Sequence, residues 1–443
     1  MIISPKMMTV TRGIYIVKYF MKLNITLGVA SAATQIEGGG FAHTWSDWYD
    51  KGRIHDGSNP ARANDHLNRW KEDIDLMAEM GITIYRLSIE WARIEPSKNS
   101  YDENAVLWYR RLLEYMKEKG ISPLLTLHHF TNPLWFEEIG GFANPANISV
   151  YLGFVEFAAR KFSDLVDEYV TINEPNVFAV MGYHTGIFPP GKKSMFAVMR
   201  VQSVMANCHI QAYLLIHRIR KELGCTNTKV GFAHHARVFE PKNKWNLWHR
   251  LCASLTSFMF QDALTRACLL GRFVFPLKKY GKIKKGCYAD FLGLNYYTRS
   301  TVTSLADGTR GGAPLNDLGW EIYPEGIVQC SNDLYKLLKK PIYITENGTC
   351  DNNDKFRSRY IYDHLKALAD SGLPVERYYH WCFTDNFEWC EGESARFGLV
   401  FVDFETQQRT IKKSGEFFAA IIQNRGITSA MYDEFVAPQS YSS

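Results

Sequence analysis

With 443 residues and a mass of 50.9 kDa, the chain is long enough for two or three average domains, or for one large α/β barrel with elaborated loops. Its 51 basic and 46 acidic residues nearly cancel, to a formal +5, and no long basic block occurs, which argues against a nucleic-acid binder. Nine cysteines, an odd number with no CxxC pair, fit reduced cytoplasmic thiols better than a disulfide framework.

Near the start, Ile14-Tyr15-Ile16-Val17 is cut short by Lys18, too brief for the apolar region of a signal peptide. No stretch reaches the roughly 18 uninterrupted apolar residues of a membrane span, so no membrane partner is expected. Residues 27–34 are small and apolar and read as a first strand running into Gln35-Ile36-Glu37 and Gly38-Gly39-Gly40. Those glycines lack the GxGxxG spacing of a phosphate cradle. Residues 63–80 repeat with helical period through Leu67, Trp70, Ile74, Met77 and Ala78 and stop at Gly81. A strand over 82–89 leads to Glu90-Trp91, a helix over 104–119 stops at Gly120, and a strand over 121–127 ends in His128-His129-Phe130. A helix over 151–162 precedes a strand over 165–173. Helices over 195–223 and 248–270 flank a strand at 229–235. Further strands fit 290–297, 341–346 and 377–383, with helices over 357–371 and 414–423.

The eight strand candidates, mostly separated by helices and by no Pro/Gly/Ser linker, predict an α/β fold: a single (β/α)8 barrel of the TIM type. Residues 1–22 are then expected to be an N-terminal extension and 23–443 the barrel domain. The stretches between the strands near 229, 290 and 341 read as barrel loops, with the Gly-rich 308–319 as a surface lid or turn cluster.

In such a barrel the C-terminal strand ends converge on one pocket. They carry Gln35, Arg86, His129, Asn173 with Glu174, Asn295 with Tyr297, Glu346 and Trp381. Glu174 follows Tyr169-Val170-Thr171-Ile172-Asn173, and Glu346 follows Ile342-Tyr343-Ile344-Thr345. A carboxylate at the tip of an apolar strand is costly to bury without partners or a task. Two of them facing across a pocket fit glycosidic bond hydrolysis, one giving a proton to the leaving oxygen and the other attacking the anomeric carbon. Bland readings stand beside this one. His129 fits a packed core histidine, Trp381 and Trp389 fit core aromatics, Gln35 fits a strand cap and Asn295 fits a turn.

The motifs resemble those of glycoside hydrolase family 1, the β-glucosidase family, from about Leu23 to the C-terminus. They are Gln35-Ile36-Glu37-Gly38, Arg86-Leu87-Ser88-Ile89-Glu90-Trp91, the His129 region, Thr171-Ile172-Asn173-Glu174-Pro175, Asn295-Tyr296-Tyr297, Ile344-Thr345-Glu346-Asn347-Gly348, and Asp385-Asn386-Phe387-Glu388-Trp389 followed by Arg396-Phe397-Gly398. The resemblance implies a retaining double displacement without cofactor or metal. It makes Glu174 the acid/base and Glu346 the nucleophile, with Arg86 and Tyr297 holding Glu346 ionised. The charge on Glu346 is expected to raise the pKa of Glu174. Gln35, His129, Asn173, Glu388 and Trp389 match residues around the non-reducing sugar, and Trp381 matches the platform beneath it.

The implied substrate is a β-glucoside or oligosaccharide, with β-galactosides and β-fucosides as possible extensions. The alternatives are a 6-phospho-β-glucosidase, or a non-catalytic sugar-binding protein on the same scaffold. Against the first, Glu391 and Glu393 would repel a phosphate. Against the second, both acids are kept. The chain departs from the family at Ala233-His234-His235, where an asparagine is usual, and at 242–250, where Trp245, Trp248 and His249 either build a leaving-group site or pack a loop.

Overall fold

A computed structural model describes residues 19–304 and 307–441. Eight parallel strands close into a barrel: β1 (Thr26–Ala30), β2 (Ile84–Ser88), β3 (Ser122–Thr126), β4 (Glu168–Asn173), β5 (Lys229–His235), β6 (Leu292–Asn295), β7 (Ile342–Asn347) and β8 (Val375–Trp381). β8 closes the ring on β1, pairing Arg377 with Thr26 and Trp381 with Ala30. All eight strands fall where the sequence pattern predicts them, shortened by a few residues at most ends. The largest difference is at β1, which ends at Ala30; a single helical turn, Ala33–Ile36, then carries Gln35.

The crossover helices include α1 (His66–Glu79), α2 (Glu103–Glu118), α3 (Ile148–Phe162), α4 (Met195–Glu222), α5 (Leu247–Ser257), α6 (Ala263–Leu270), α7 (Glu325–Leu337), α8 (Arg357–Asp370) and, after β8, α9 (Lys413–Asn424). Their boundaries have local causes. Asp102 caps α2 by accepting from the amides of Asn104 at 2.8 Å and Ala105 at 3.3 Å. Gly81 and Gly120, with φ of 76° and 74°, follow the ends of α1 and α2 in the left-handed conformation that terminates helices.

Two expectations change. The stretch between β6 and β7 contains α7, whose buried side is Gly326, Ile327, Cys330, Ser331 and Leu334. Its small and polar members hide the helical period. The predicted helix over 248–270 divides into α5 and α6 around a π-helical turn, Phe258–Asp262.

Strand Tyr19–Lys22 pairs antiparallel with Gly426–Thr428, joining the segment before β1 to the segment after α9. The expectation for the N-terminal extension otherwise concerns residues 1–18, which lie outside those described. Among the described residues no helix is long and apolar enough to cross a membrane.

Candidate active site

The C-terminal ends of the strands surround a cavity of about 340 Å³, whose lining includes Glu174, Glu346, His129, Tyr297, Trp381, Glu388 and Trp389. A separate cavity of about 440 Å³ behind β5 is lined by neither acid. The predicted site residues gather around the first cavity, where Arg86, His129, Asn173, Glu174, Asn295, Tyr297 and Glu346 form one hydrogen-bonded network and Gln35 with Glu388 forms a second group.

Glu346, on β7, has both carboxyl oxygens engaged. The Arg86 guanidinium on β2 donates to Oε1, and the Tyr297 hydroxyl donates to Oε2 at 2.5 Å. The same guanidinium donates from Nη2 to Asn173 Oδ1 at 2.7 Å. Asn295 Nδ2, at the end of β6, donates to Asn173 Oδ1 at 3.0 Å and to Glu174 Oε1 at 2.7 Å. Thr345 Oγ1 donates to Asn295 Oδ1 at 2.7 Å and fixes that amide's orientation. Asn295 is therefore a bridging residue of the site and not the turn residue it could equally have been.

Glu174 differs from Glu346 in its surroundings. Its Oε1 faces Asn295 and, at 3.2 Å, His235 Nδ1, whereas Oε2 has no hydrogen-bond partner among the described residues. Burial pushes its carboxyl up to about 7, against hydrogen bonding by Asn295 and the charges of Arg86 and Arg237. Burial likewise pushes Glu346 up to about 7, outweighing Arg86 and Tyr297, with the Glu174 charge adding to the rise. Burial is the leading cause of the rise at Glu174, ahead of the expected repulsion by the Glu346 charge, which acts on both acids; at Glu346 burial outweighs the support of Arg86 and Tyr297, which favours the ionised form. The two acids are buried and line the same cavity, so they hold their protons as a pair.

On the other side of the cavity, Gln35 Nε2 donates to Glu388 Oε2 at 3.1 Å and to the Phe387 carbonyl at 2.9 Å. Among the described residues its Oε1 is buried without a partner, as is His129 Nδ1. Buried polar atoms left open in a pocket wall are what a hydroxyl-rich ligand would satisfy. Burial pushes Glu388 up to about 8, against hydrogen bonds from Gln35 and Trp381 and with Glu346 adding to the rise. The His129 ring stacks between Trp381, at 5.6 Å and 25°, and Trp389, at 5.8 Å and 25°. Its Nε2 lies 3.0 Å from Asn173 Nδ2. Phe130, Glu174 and Trp389 all adopt positive φ, at 64°, 42° and 48°, a cost that β-barrel loops tolerate where side chains must be aimed.

Arg237, Leu318 and Trp320 line the cavity without having been picked out as site residues, and so do His235 at the end of β5, noted only within a departure from the family sequence, and Phe397, noted only within a motif. His235 had a signal, since it is the last residue of β5 as Asn173 and Asn295 are of β4 and β6, and it pairs with Asn295. Leu318 and Trp320 belong to the glycine-rich connection, which therefore reaches the cavity rim. Trp245 and Trp248 do neither of the things expected of them. They are 82% and 59% exposed and lie outside the cavity; Trp245 precedes α5, and Trp248 lies on that helix, whose buried residues are Cys252 and Ala253. Among the described residues no three His, Cys, Asp or Glu side chains cluster as a metal site would require.

Comparison with known proteins gives a consistent result. The profile of Glycosyl hydrolase family 1 matches residues 18–427. Beta-glucosidase A of Thermotoga maritima is 30% identical over 442 residues, covering 90% of this chain and 97% of that protein. A solved beta-glycosidase from Pyrococcus horikoshii aligns with a TM-score of 0.85 at 31% identity, over 93% of this chain and 97% of that one. A beta-glucosidase from Thermotoga maritima in complex with glucoimidazole aligns with a TM-score of 0.84 at 28% identity, over 92% and 100% of the two chains.

Proposed function

Because the chain belongs to glycosyl hydrolase family 1, and is thus a glycosidase of the β-glucosidase kind, we propose that it removes terminal non-reducing β-D-glucosyl residues with retention of configuration. Glu346 is the nucleophile and Glu174 the acid/base. The observation that carries the assignment is the contrast between the two carboxyls. Both oxygens of Glu346 accept from Arg86 and Tyr297, which suits the ionised form. Glu174 keeps Oε2 open to the cavity, where an acid proton can reach a leaving oxygen.

In the first step Glu346 forms a bond to the anomeric carbon as the glycosidic C–O bond breaks, and the Glu174 proton passes to the departing oxygen. In the second, water gives a proton to Glu174, its oxygen bonds to the anomeric carbon, and Glu346 leaves as a carboxylate. Asn173 is placed against the 2-hydroxyl by this reading, since its amide lies between Arg86 and His129. The open atoms of Gln35 and His129, with Glu388, serve the 3- and 4-hydroxyls, and Trp381 lies beneath the ring.

A phosphorylated sugar is disfavoured. Glu391 lines the cavity, although Glu393 is held by Arg62 Nη2 at 2.5 Å and contributes less repulsion than its sequence position suggests. All nine cysteines are unpaired, which supports a reducing compartment such as the cytoplasm.

The test is hydrolysis of aryl β-glucoside, β-galactoside and 6-phospho-β-glucoside, followed by azide rescue. Activity on the unphosphorylated glucoside is expected, and activity confined to the phosphorylated one would overturn the substrate. Glu346→Ala should lose turnover by about 10⁴-fold or more and be partly rescued by azide, giving an α-glycosyl azide. Glu174→Ala should give the β-azide with an activated substrate, and the reverse pattern would exchange the two roles.

A further inference from the structure

We infer that Arg237 and His235 form a positioning relay that decides which oxygen of Glu174 carries the acid proton. The inference rests on the reading of Glu174 as the acid/base. It concerns two residues at the point where β5 departs from the expected family sequence.

The argument begins at Arg237. Its Nε donates to His235 Nε2 at 3.3 Å, and its Nη2 lies 3.2 Å from the same nitrogen. A guanidinium has only donors, so His235 Nε2 must offer its lone pair. The imidazole is buried, and burial first and the Arg237 charge second hold its pKa well below the usual value. A neutral imidazole carries one N–H, which is therefore on Nδ1. That nitrogen lies 3.2 Å from Glu174 Oε1, and the N–H has a carboxyl oxygen to donate to.

Glu174 Oε1 thus receives two donors, His235 Nδ1 and Asn295 Nδ2. An oxygen accepting two hydrogen bonds has no lone pair direction left for a proton, so the proton of the acid form sits on Oε2, the oxygen open to the cavity. The other charged or ionisable groups acting on Glu174 include Arg86, Arg237, Glu388 and the Glu346–Tyr297 pair, and none of these supplies a hydrogen bond to Oε1.

The relay is held from behind. The π-helical turn after α5 brings Gln261 to both backbone groups of Arg237, accepting from its N–H and donating to its carbonyl, each at 3.1 Å. The same turn sets Phe260 against the guanidinium at 5.3 Å and edge-on to the His235 ring at 5.8 Å. The same ring also stacks on Tyr297 at 6.0 Å and 17°. A π-helical turn of this kind is often found where a side chain must be re-aimed at a functional site.

The test compares leaving groups, because only a poor leaving group needs the proton of Glu174 in the glycosylation step that kcat/KM reports. His235→Phe keeps the ring and removes the donor. For an alkyl β-glucoside its kcat/KM should fall about 10- to 100-fold, and for 2,4-dinitrophenyl β-glucoside by less than about 3-fold. An equal fall on both would mean a distorted pocket and would overturn the inference.

His235→Asn restores an amide donor near Nδ1 and should recover most of the alkyl-glucoside activity. Arg237→Met should depress that activity in the parent, by releasing the tautomer. It should have no such effect in the His235→Asn background, because an amide has no tautomer to fix, and a penalty of equal size in both backgrounds would overturn the inference. Glu174→Ala serves as the separate control. Without leaving-group dependence in that variant, the acid/base reading itself fails. With it, and without any in His235→Phe, only the relay fails.

Discussion

At the scale of single residues, three buried acids, Glu174, Glu346 and Glu388, sit within one cavity, and burial raises all three. Catalysis by the proposed route needs one proton shared between Glu174 and Glu346. Below neutrality both become protonated and the nucleophile is lost; above it both ionise and the acid is lost. With both carboxyls near 7, kcat/KM should follow a narrow bell centred close to neutrality, measured with an alkyl β-glucoside. A rate that stays level from pH 5 to 9 would contradict this.

The same burial has a stability consequence. Glu388 moves from the ordinary 4.5 up to about 8. Its neutral form is the one the fold favours, so its contribution is fully present below 4.5 and is lost as pH rises through about 8. Glu388→Gln should therefore lose less Tm between pH 6 and 9 than the parent does, as read by calorimetry. A steeper loss in the variant would show that burial is not the dominant influence on this group.

At the scale of elements, the exits of the strands matter more than their interiors. β7 leaves the barrel at Gly348, where a Cβ would lie 1.8 Å from the Trp381 carbonyl oxygen and 2.8 Å from its carbon. The close approach of these two backbones places the Trp381 indole beside His129. Gly348→Ala must displace one of them, and a misplacement on the ångström scale costs on the order of 10²-fold in rate. Steady-state kinetics should show a loss of that size in kcat/KM, and an unchanged value would mean that the Trp381 platform has slack.

The strands themselves were legible because β-branched and aromatic runs alternate with amphipathic helices at a regular spacing. What sequence did not reveal came from elements whose signal is weak. The buried side of α7 is built partly from glycine, cysteine and serine, which dilutes the 3.6-residue period. The π-helical turn Phe258–Asp262 has no composition that sets it apart from the helices on either side. Trp245 and Trp248 left a leaving-group site and loop packing both open, because a sequence does not say that Trp248 lies on the outward side of α5 and that Trp245 precedes that helix in the open.

At the scale of the whole molecule, the barrel separates chemistry from stability along its axis. At the N-terminal end of the strands, Glu168 on β4 accepts from Arg377 on β8, at 2.7 Å for Nη2, and Lys229 on β5 bonds the Tyr343 hydroxyl on β7 at 3.0 Å. These ties span the barrel floor, opposite the acids. Removing one partner of a buried ion pair costs about 3–5 kcal/mol, and the partial exposure of Glu168 and Arg377, 11% and 19%, brings the expected cost of Glu168→Ala to roughly 2–3 kcal/mol. Its urea midpoint should fall while kcat/KM of the folded enzyme holds. Lost activity at unchanged stability would contradict the division.

The candidate site was legible for the same reason the barrel was, since strand ends converge once the strand count is known. Asn173, Glu174, Asn295, Tyr297 and Glu346 could be named from position and motif. The pairing of Arg86 with Glu346 came with the motif resemblance, whereas the bridge through Asn295 and the His235–Arg237 contact depend on side-chain directions that no one-dimensional pattern carries.

The most direct test of the central claim is the configuration of the sugar when it first leaves the enzyme. Proton NMR of the anomeric signals during rapid hydrolysis of an aryl β-glucoside should show β-glucose first, with α-glucose appearing only at the rate of mutarotation. If α-glucose appears first, Glu346 is not a nucleophile that forms a covalent intermediate, and the roles assigned to both carboxyls are wrong.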